Sequence, residues 1–301
     1  MSNSVTSISP KIRGILLMLS GTLFLTAMVA LVRYLSTDLH PFVIAFFRNL
    51  MGLGMLLPLL LRDGLGSLKT NNMGGMALRS VFHTGGMLLF FLALTLMPLA
   101  KLSSLTFTSP LFSCLLAVLL LREKIGINRS VGLIIGFSGV LIILRPGSDL
   151  IGIGAVYAIL SSISWAGAVV VIKNLSRTNS TVTITIYGLF FLVLFTLLPA
   201  MIFWRWPSPE QYLWLVALAL AGTVGQLLFT EAMKVADVTL VMPFDFSRIL
   251  WASLFGVMFF AETPRIWTFV GGGVILAGAT YVAYREHTLN TSSISGGAVR
   301  T

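Results

Sequence analysis

The chain has 301 residues, 56% of them hydrophobic and 10% charged, with a formal net charge of +10. A soluble domain carries about 25% charged residues and less than about 50% apolar ones. This composition therefore leaves too few polar side chains to cover a water-facing exterior. It excludes an ordinary soluble globule, and the lone cysteine, Cys114, excludes an intrachain disulfide and a multi-cysteine metal centre.

Cut at its charge and turn clusters, the sequence falls into ten apolar stretches. They run over 14–35, 41–61, 76–97, 102–121, 130–144, 151–172, 182–204, 211–230, 238–260 and 266–284. Most reach the roughly 17–25 residues that carry a helix across a hydrocarbon core of about 30 Å. Runs such as Leu88–Leu96 and Leu189–Leu198 are apolar on every side. That rules against the alternating strands of a membrane β-barrel and leaves helices as the spanning element. The first stretch, from Gly14, is too long for the apolar core of a signal peptide, and no small-residue cleavage site follows it before Arg33.

Charge then orients the chain. With the N-terminus in the cytoplasm, 13 of the 20 Lys and Arg fall on that side, from Lys11 and Arg13 through Arg79, Lys124 and Arg129 to Arg285 and Arg300. Five fall outside (Arg33, Lys101, Arg145, Arg205 and Arg265), and Arg48 and Arg248 lie within spans. This bias is the positive-inside pattern, so both termini are expected in the cytoplasm. The basic charge is topological, and no nucleic-acid partner is expected.

The two halves of the sequence repeat. At an offset of 140, Gly14 meets Gly154, Val29 meets Val169, Arg33 meets Lys173, and Leu35–Ser36 meets Leu175–Ser176. At 139, Glu123 meets Glu262, Val131–Gly132 meets Val270–Gly271, and Gly139 meets Gly278. Five helices per copy is an odd number, so the second copy must enter from the opposite side. The expected fold is an all-α integral membrane protein of ten transmembrane helices in two inverted five-helix repeats. The divisions are a cytoplasmic N-terminus (1–13), a first repeat (14–147), a second repeat (148–285) and a disordered cytoplasmic tail (286–301). Segment 62–73 reads as a loop, and Arg145–Gly152 as the joint between copies. Gly132, Gly136 and Gly139 share one helical face, where they allow close approach of another helix.

Charges inside a span cost at least about 2.5–3.5 kcal/mol each and belong beside a cavity or a partner. Arg48, with Asn49 next to it, lies well inside the second span. Asp245 and Arg248 are three residues apart and so share a helical face. Pro243, just upstream, removes a backbone donor, which favours a broken helix of the kind that frames transporter sites. A protonatable Asp beside a mobile Arg is an arrangement for coupling to protons. Arg79 and His83 stand four apart at the start of the third span, where His83 could relay a proton. Gln226 is deep enough to hydrogen-bond a ligand, whereas Glu231 nearer the interface suits a pair with Lys234. Trp165, mid-span in the sixth stretch, could stack on a planar substrate. Glu123 and Glu262 end equivalent helices and suggest a structural role. The three scattered histidines offer no metal site, and no phosphate-binding glycine loop is present, so no metal, cofactor or ATP-driven step is expected.

The segments PFVIAFFRNLMGL, LFFLALTLMPLAKLSSLTFTSPLFSCLLAVLLLREKI, GFSGVLIILRPG and VMPFDFSRILWASLFGVMFFAE together resemble the drug/metabolite transporter superfamily, in particular its ten-helix EamA family. The resemblance covers about 11–285, with Lys101 as a departure from the acidic residue common there. It implies a five-plus-five inverted fold, alternating access and ATP-independent transport of an organic solute across a bacterial inner membrane, not catalysis. The FFRNL and PFDFSR elements are similar to the branch containing riboflavin and S-adenosylmethionine uptake proteins, which makes riboflavin the leading substrate. Amino acids and S-adenosylmethionine, moved in either direction, are the alternatives, and a membrane-embedded enzyme is the remote one. The partners expected are a small-molecule substrate and the lipid bilayer, with proton coupling and a homodimer as further readings. Arg48, Gln226 and Trp165 are expected to line the cavity.

Overall fold

The computed structural model describes residues 9–63, 69–96, 105–144, 152–260 and 266–297. Among them every regular element is helical: α1 (Pro10–Leu35), α2 (Pro41–Asp63), α3 (Met73–Leu96), α4 (Ser109–Leu121), α5 (Ile127–Leu144), α6 (Ile153–Leu175), α7 (Thr181–Ile202) and α8 (Pro209–Val235). The ninth stretch is broken into α9 (Val238–Val241), a 3-10 turn (Met242–Ser247) and α10 (Arg248–Phe260), and α11 (Ile266–Gly297) follows.

Local chemistry sets several of these boundaries. Ser9, Ser180 and Ser208 precede α1, α7 and α8, and their hydroxyls accept from the N–H groups of Ile12, Thr183 and Gln211. Each satisfies a donor that the first helical turn leaves without a partner. Gln211 returns a bond to the Ser208 N–H, closing a capping box, and Pro209 occupies the position where its missing N–H costs nothing. In the ninth stretch Pro243 has no N–H to continue the α ladder, and the chain tightens into the 3-10 turn. The break expected there is present.

Among the described residues, six stretches are long and apolar enough to cross a membrane: Pro10–Leu35, Pro41–Pro58, Ile153–Leu175, Thr181–Ile202, Pro209–Val235 and Val238–Phe259. Ser109–Leu121, Ile127–Ile142 and Phe269–Val282 are shorter apolar helices. Large apolar side chains stand exposed on the outside, among them Leu61, Leu198 and Ile202. Water would oppose that surface; lipid would not.

The packing follows an exchange pattern. α1 packs on α8 as α3 packs on α6, and α4 packs on α6 as α1 packs on α10. α2 meets α7, and α5 meets α11. Every one of these contacts survives when the two sets of helices, α1–α5 and those after Gly152, trade places. The turns repeat as well. The Leu35 carbonyl accepts from the N–H groups of Asp38 and Leu39 at 3.2 and 3.0 Å; the Leu175 carbonyl accepts from those of Thr178 and Asn179 at the same 3.2 and 3.0 Å.

Gly132 and Gly139 of the expected glycine face on α5 meet α11, whereas Gly136 meets the Phe246 ring of the 3-10 turn. A Cβ at Gly139 would stand 2.7 Å from the Gly271 carbonyl oxygen, and one at Gly278 would stand 3.3 Å from that of Gly132. The two backbones touch, which only a residue without a side chain allows.

Three details refine the sequence reading. Glu123 does not simply close its own turn: its carboxylate accepts from the N–H groups of Val238 and Thr239, both at 3.1 Å, and so caps the start of the broken ninth stretch. Glu231 pairs with Arg13 at 3.2 Å and accepts from the Thr181 hydroxyl, where Lys234 had been the expected partner. The backbone of α11 is helical over 286–297, where Ser, Thr and Gly content led to an expectation of disorder. Glu262, Lys101, most of the Arg145–Gly152 joint and residues 64–68 of the loop lie outside the described residues.

Candidate functional site

Arg48 projects from α2, and its Nη1 donates to the side-chain oxygen of Asn49 at 2.8 Å. The guanidinium lies across α8 at Gly222, where a Cβ would stand 2.8 Å from Arg48 Nε and 2.9 Å from Met28 Sδ. Glycine at 222 is what leaves room for the cation. Asn49 itself is buried.

Arg79 was expected at the cytoplasmic entrance of its helix, among the flanking charges. The structure corrects this: Arg79 is only 1% exposed. The reason is a gap that the sequence does not advertise, because its guanidinium fills the space left by the missing side chain of Gly188 on α7, where any Cβ would overlap it. Its Nε and Nη1 have no hydrogen-bond partner.

One turn along α3 stands His83, whose ring centroid is 4.4 Å from that of Trp165 on α6, at an interplanar angle of 56°. Trp165 in turn lies on Gly86, where a Cβ would come within 3.0 Å of the indole. Arg48, Arg79 and His83 are near enough to feel one another's charge. Gln226 follows Gly222 by one turn of α8, is 8% exposed, and donates from Nε2 to Thr230 Oγ1 at 3.1 Å. Five helices (α2, α3, α6, α7 and α8) therefore bring together Arg48, Asn49, Arg79, His83, Trp165 and Gln226.

Asp245 and Arg248 belong to a different wall. Their 3-10 turn packs chiefly on α1, α4, α5 and α11. Arg248 Nε donates to Asp245 Oδ1 at 2.6 Å, with the Asp245 side chain 13% exposed and that of Arg248 35%. A small polar network ties the turn to α1: the Ser247 and Thr22 hydroxyls lie 2.9 Å apart, and Trp251 Nε1 donates to Thr22 at 3.2 Å. Sequence reasoning passed over Thr22, Ser247, Trp251, Gly188 and Gly222. None carries a local signal, since each acts only through a partner distant in the chain.

A cavity of about 580 Å³ opens elsewhere, at the ends of α3, α4 and α6, with Asn72, Arg122, Asn174 and Arg177 at its polar rim. It does not touch the mid-helix cations. Arg122 there adopts a left-handed backbone, φ 56°, where α4 ends and the chain turns towards Glu123.

Buried cations on long apolar helices, two walls and a broken ninth stretch form the setting in which the relatives of this chain become informative. The EamA-like transporter family model matches it twice, over residues 12–145 and 152–284. The chain belongs to the EamA-like transporter family. A riboflavin transporter of Brucella anthropi is 31% identical over 83% of this chain and 90% of its own length. An S-adenosylmethionine uptake transporter of Rickettsia prowazekii is 28% identical over 84% and 86%. A riboflavin transporter of Vibrio cholerae is 29% identical over 91% and 94%. A crystal structure at 20% identity superposes with a TM-score of 0.78 over 92% of this chain and 98% of the other, a likeness of fold alone.

As an EamA-like transporter the chain is a multi-pass membrane protein with the two-repeat fold of that family. The pairing of α1 with α8 and of α3 with α6 is the packing counterpart of the two family matches.

Proposed function

We propose that this protein is a secondary transporter carrying a small organic metabolite across a bacterial inner membrane by alternating access. Its ten helices form two inverted repeats divided near residue 147, with both termini in the cytoplasm. The observation that carries the reading is the exchange symmetry of the packing. Two similar halves of opposite sense can trade conformations, so a state open to one side has a counterpart open to the other. Positive charge supports the orientation. Moving Arg79 from the flanks to the interior leaves 12 Lys and Arg on the N-terminal side against five on the other.

Substrate sits between the two walls. Arg48, Asn49, Arg79, His83, Trp165 and Gln226 line one of them. Asp245 and Arg248 form a switchable pair on the other, and protonation of Asp245 would release Arg248 and couple transport to a proton. Riboflavin is the first compound to test, because a flavin ring offers carbonyl acceptors to Arg48 and a flat face to Trp165. S-adenosylmethionine is the second reading, favoured by the uptake transporter among the relatives. Uptake of labelled riboflavin into an auxotroph expressing the protein tests the assignment. Arg48→Ala and Asp245→Asn should abolish uptake at unchanged membrane levels; normal uptake by both would refute the site.

A further inference from the structure

Among the described residues, the interior carries more positive than negative charge. Six acidic side chains are described, and five of them sit at or beyond helix ends. Glu123 caps Val238 and Thr239, Glu231 pairs with Arg13, and Asp237 pairs with Arg129. Asp38 lies in the turn after α1, and Glu210 in the first turn of α8. Only Asp245 lies mid-span, and Arg248 holds it at 2.6 Å. No described carboxylate forms an ion pair with Arg48 or Arg79. Arg48 leans on a neutral amide, Asn49, and two nitrogens of Arg79, Nε and Nη1, have no acceptor. A guanidinium buried in this way belongs beside an anion.

We infer that the cargo supplies the missing charge: the protein carries an organic oxyanion, whose anionic group binds between Arg48 and Arg79 and whose body rests against Trp165. Arginine suits this role, since its planar fork matches two oxygens at once and it stays charged at any physiological pH. His83, beside Trp165, lies within the same positive field. Among flavins the site favours the 5′-phosphate over the uncharged vitamin. The inference rests on the transporter reading but not on riboflavin as the cargo.

The test uses the purified full-length protein and two probe pairs that differ in charge but not in scaffold: benzoate against benzamide, and riboflavin 5′-phosphate against riboflavin. Affinities are read from shifts of the thermal unfolding midpoint at constant ionic strength. In the unsubstituted protein the anion of at least one pair should bind about tenfold tighter than its neutral mate. That preference should vanish in Arg79→Met and return in part in Arg79→Lys; if Arg79→Met does not fold, Arg48→Met reads the same loss. Equal binding within both pairs, or a preference that survives Arg48→Met and Arg79→Met alike, would overturn the inference. Free riboflavin bound with no charge preference would do the same while leaving the transporter reading intact. Failure of both flavins alongside a benzoate preference would remove the flavin assignment and uphold the oxyanion.

Discussion

Two charged regions face the interior of this transporter, and they are built on opposite terms. The Asp245–Arg248 pair is self-contained: its charges cancel within one turn of 3-10 helix, and Thr22, Ser247 and Trp251 anchor it to α1. The Arg48–Arg79 cluster is open. Its cations repel one another across α2 and α3, and the space they occupy comes from two glycines, Gly188 and Gly222, on other helices. A closed pair can rest without ligand. An open cluster stays incomplete until something negative enters, which is the property expected of a binding site and not of a hinge.

The comparison can be broken most sharply at Gly188. A valine there has nowhere to go but into the Arg79 guanidinium. Gly188→Val should therefore reduce uptake to background while the protein still reaches the membrane, with overpacking costing about 1–3 kcal/mol of stability. Uptake at the unsubstituted level would show that the position of Arg79 does not matter. Next come two substitutions of opposite sign. Asp245→Asn leaves Arg248 without its counter-charge and should lower stability by about 1 kcal/mol, since the Arg248 side chain is 35% exposed. Arg79→Met removes a buried charge with unmet donors and should hold or raise stability by about 1 kcal/mol. Denaturation of the two variants in detergent measures both effects, and a shared direction would erase the distinction drawn between the regions. The most local effect belongs to Glu123→Gln. This keeps the shape of the cap on Val238 and Thr239 but weakens it, for a loss of about 1 kcal/mol. Hydrogen exchange confined to Val238–Val241 would register it.

Much of the architecture could be read without coordinates, and the reasons are specific. A stretch such as Thr181–Ile202 is too apolar and too long for anything but a buried or lipid-facing helix. Pro243 removes a backbone donor and favours a departure from the α ladder, and the break stands there, although Pro58 and Pro199 lie inside the continuous helices α2 and α7. Asp245 and Arg248, three apart, met as their spacing required. The glycine face of α5 was legible as a face, though not its partner α11.

Arg79 shows where that reading stops. Six residues into α3, it has the sequence context of a flanking charge, and snorkelling to the surface is the ordinary outcome for a long cationic side chain near a helix end. What buries it is the absence of a side chain at Gly188, more than a hundred residues away. Glu123 is a similar case, since its role depends on the N–H groups of Val238 and Thr239 lying within reach.

The amino-acid sequence alone determined the helical, lipid-embedded character of this protein, its internal repetition and the short list of charges that a membrane interior would not tolerate without purpose. These follow from composition and from spacing along one helix, which are local properties. Only the tertiary structure decided that the candidate residues divide into two walls, that one charge pair is complete and the other cluster is not, and that glycines on α7 and α8 make room for the arginines of α2 and α3. Those outcomes depend on which helix faces come together, and side-chain space is a property of the assembled bundle, not of any one segment.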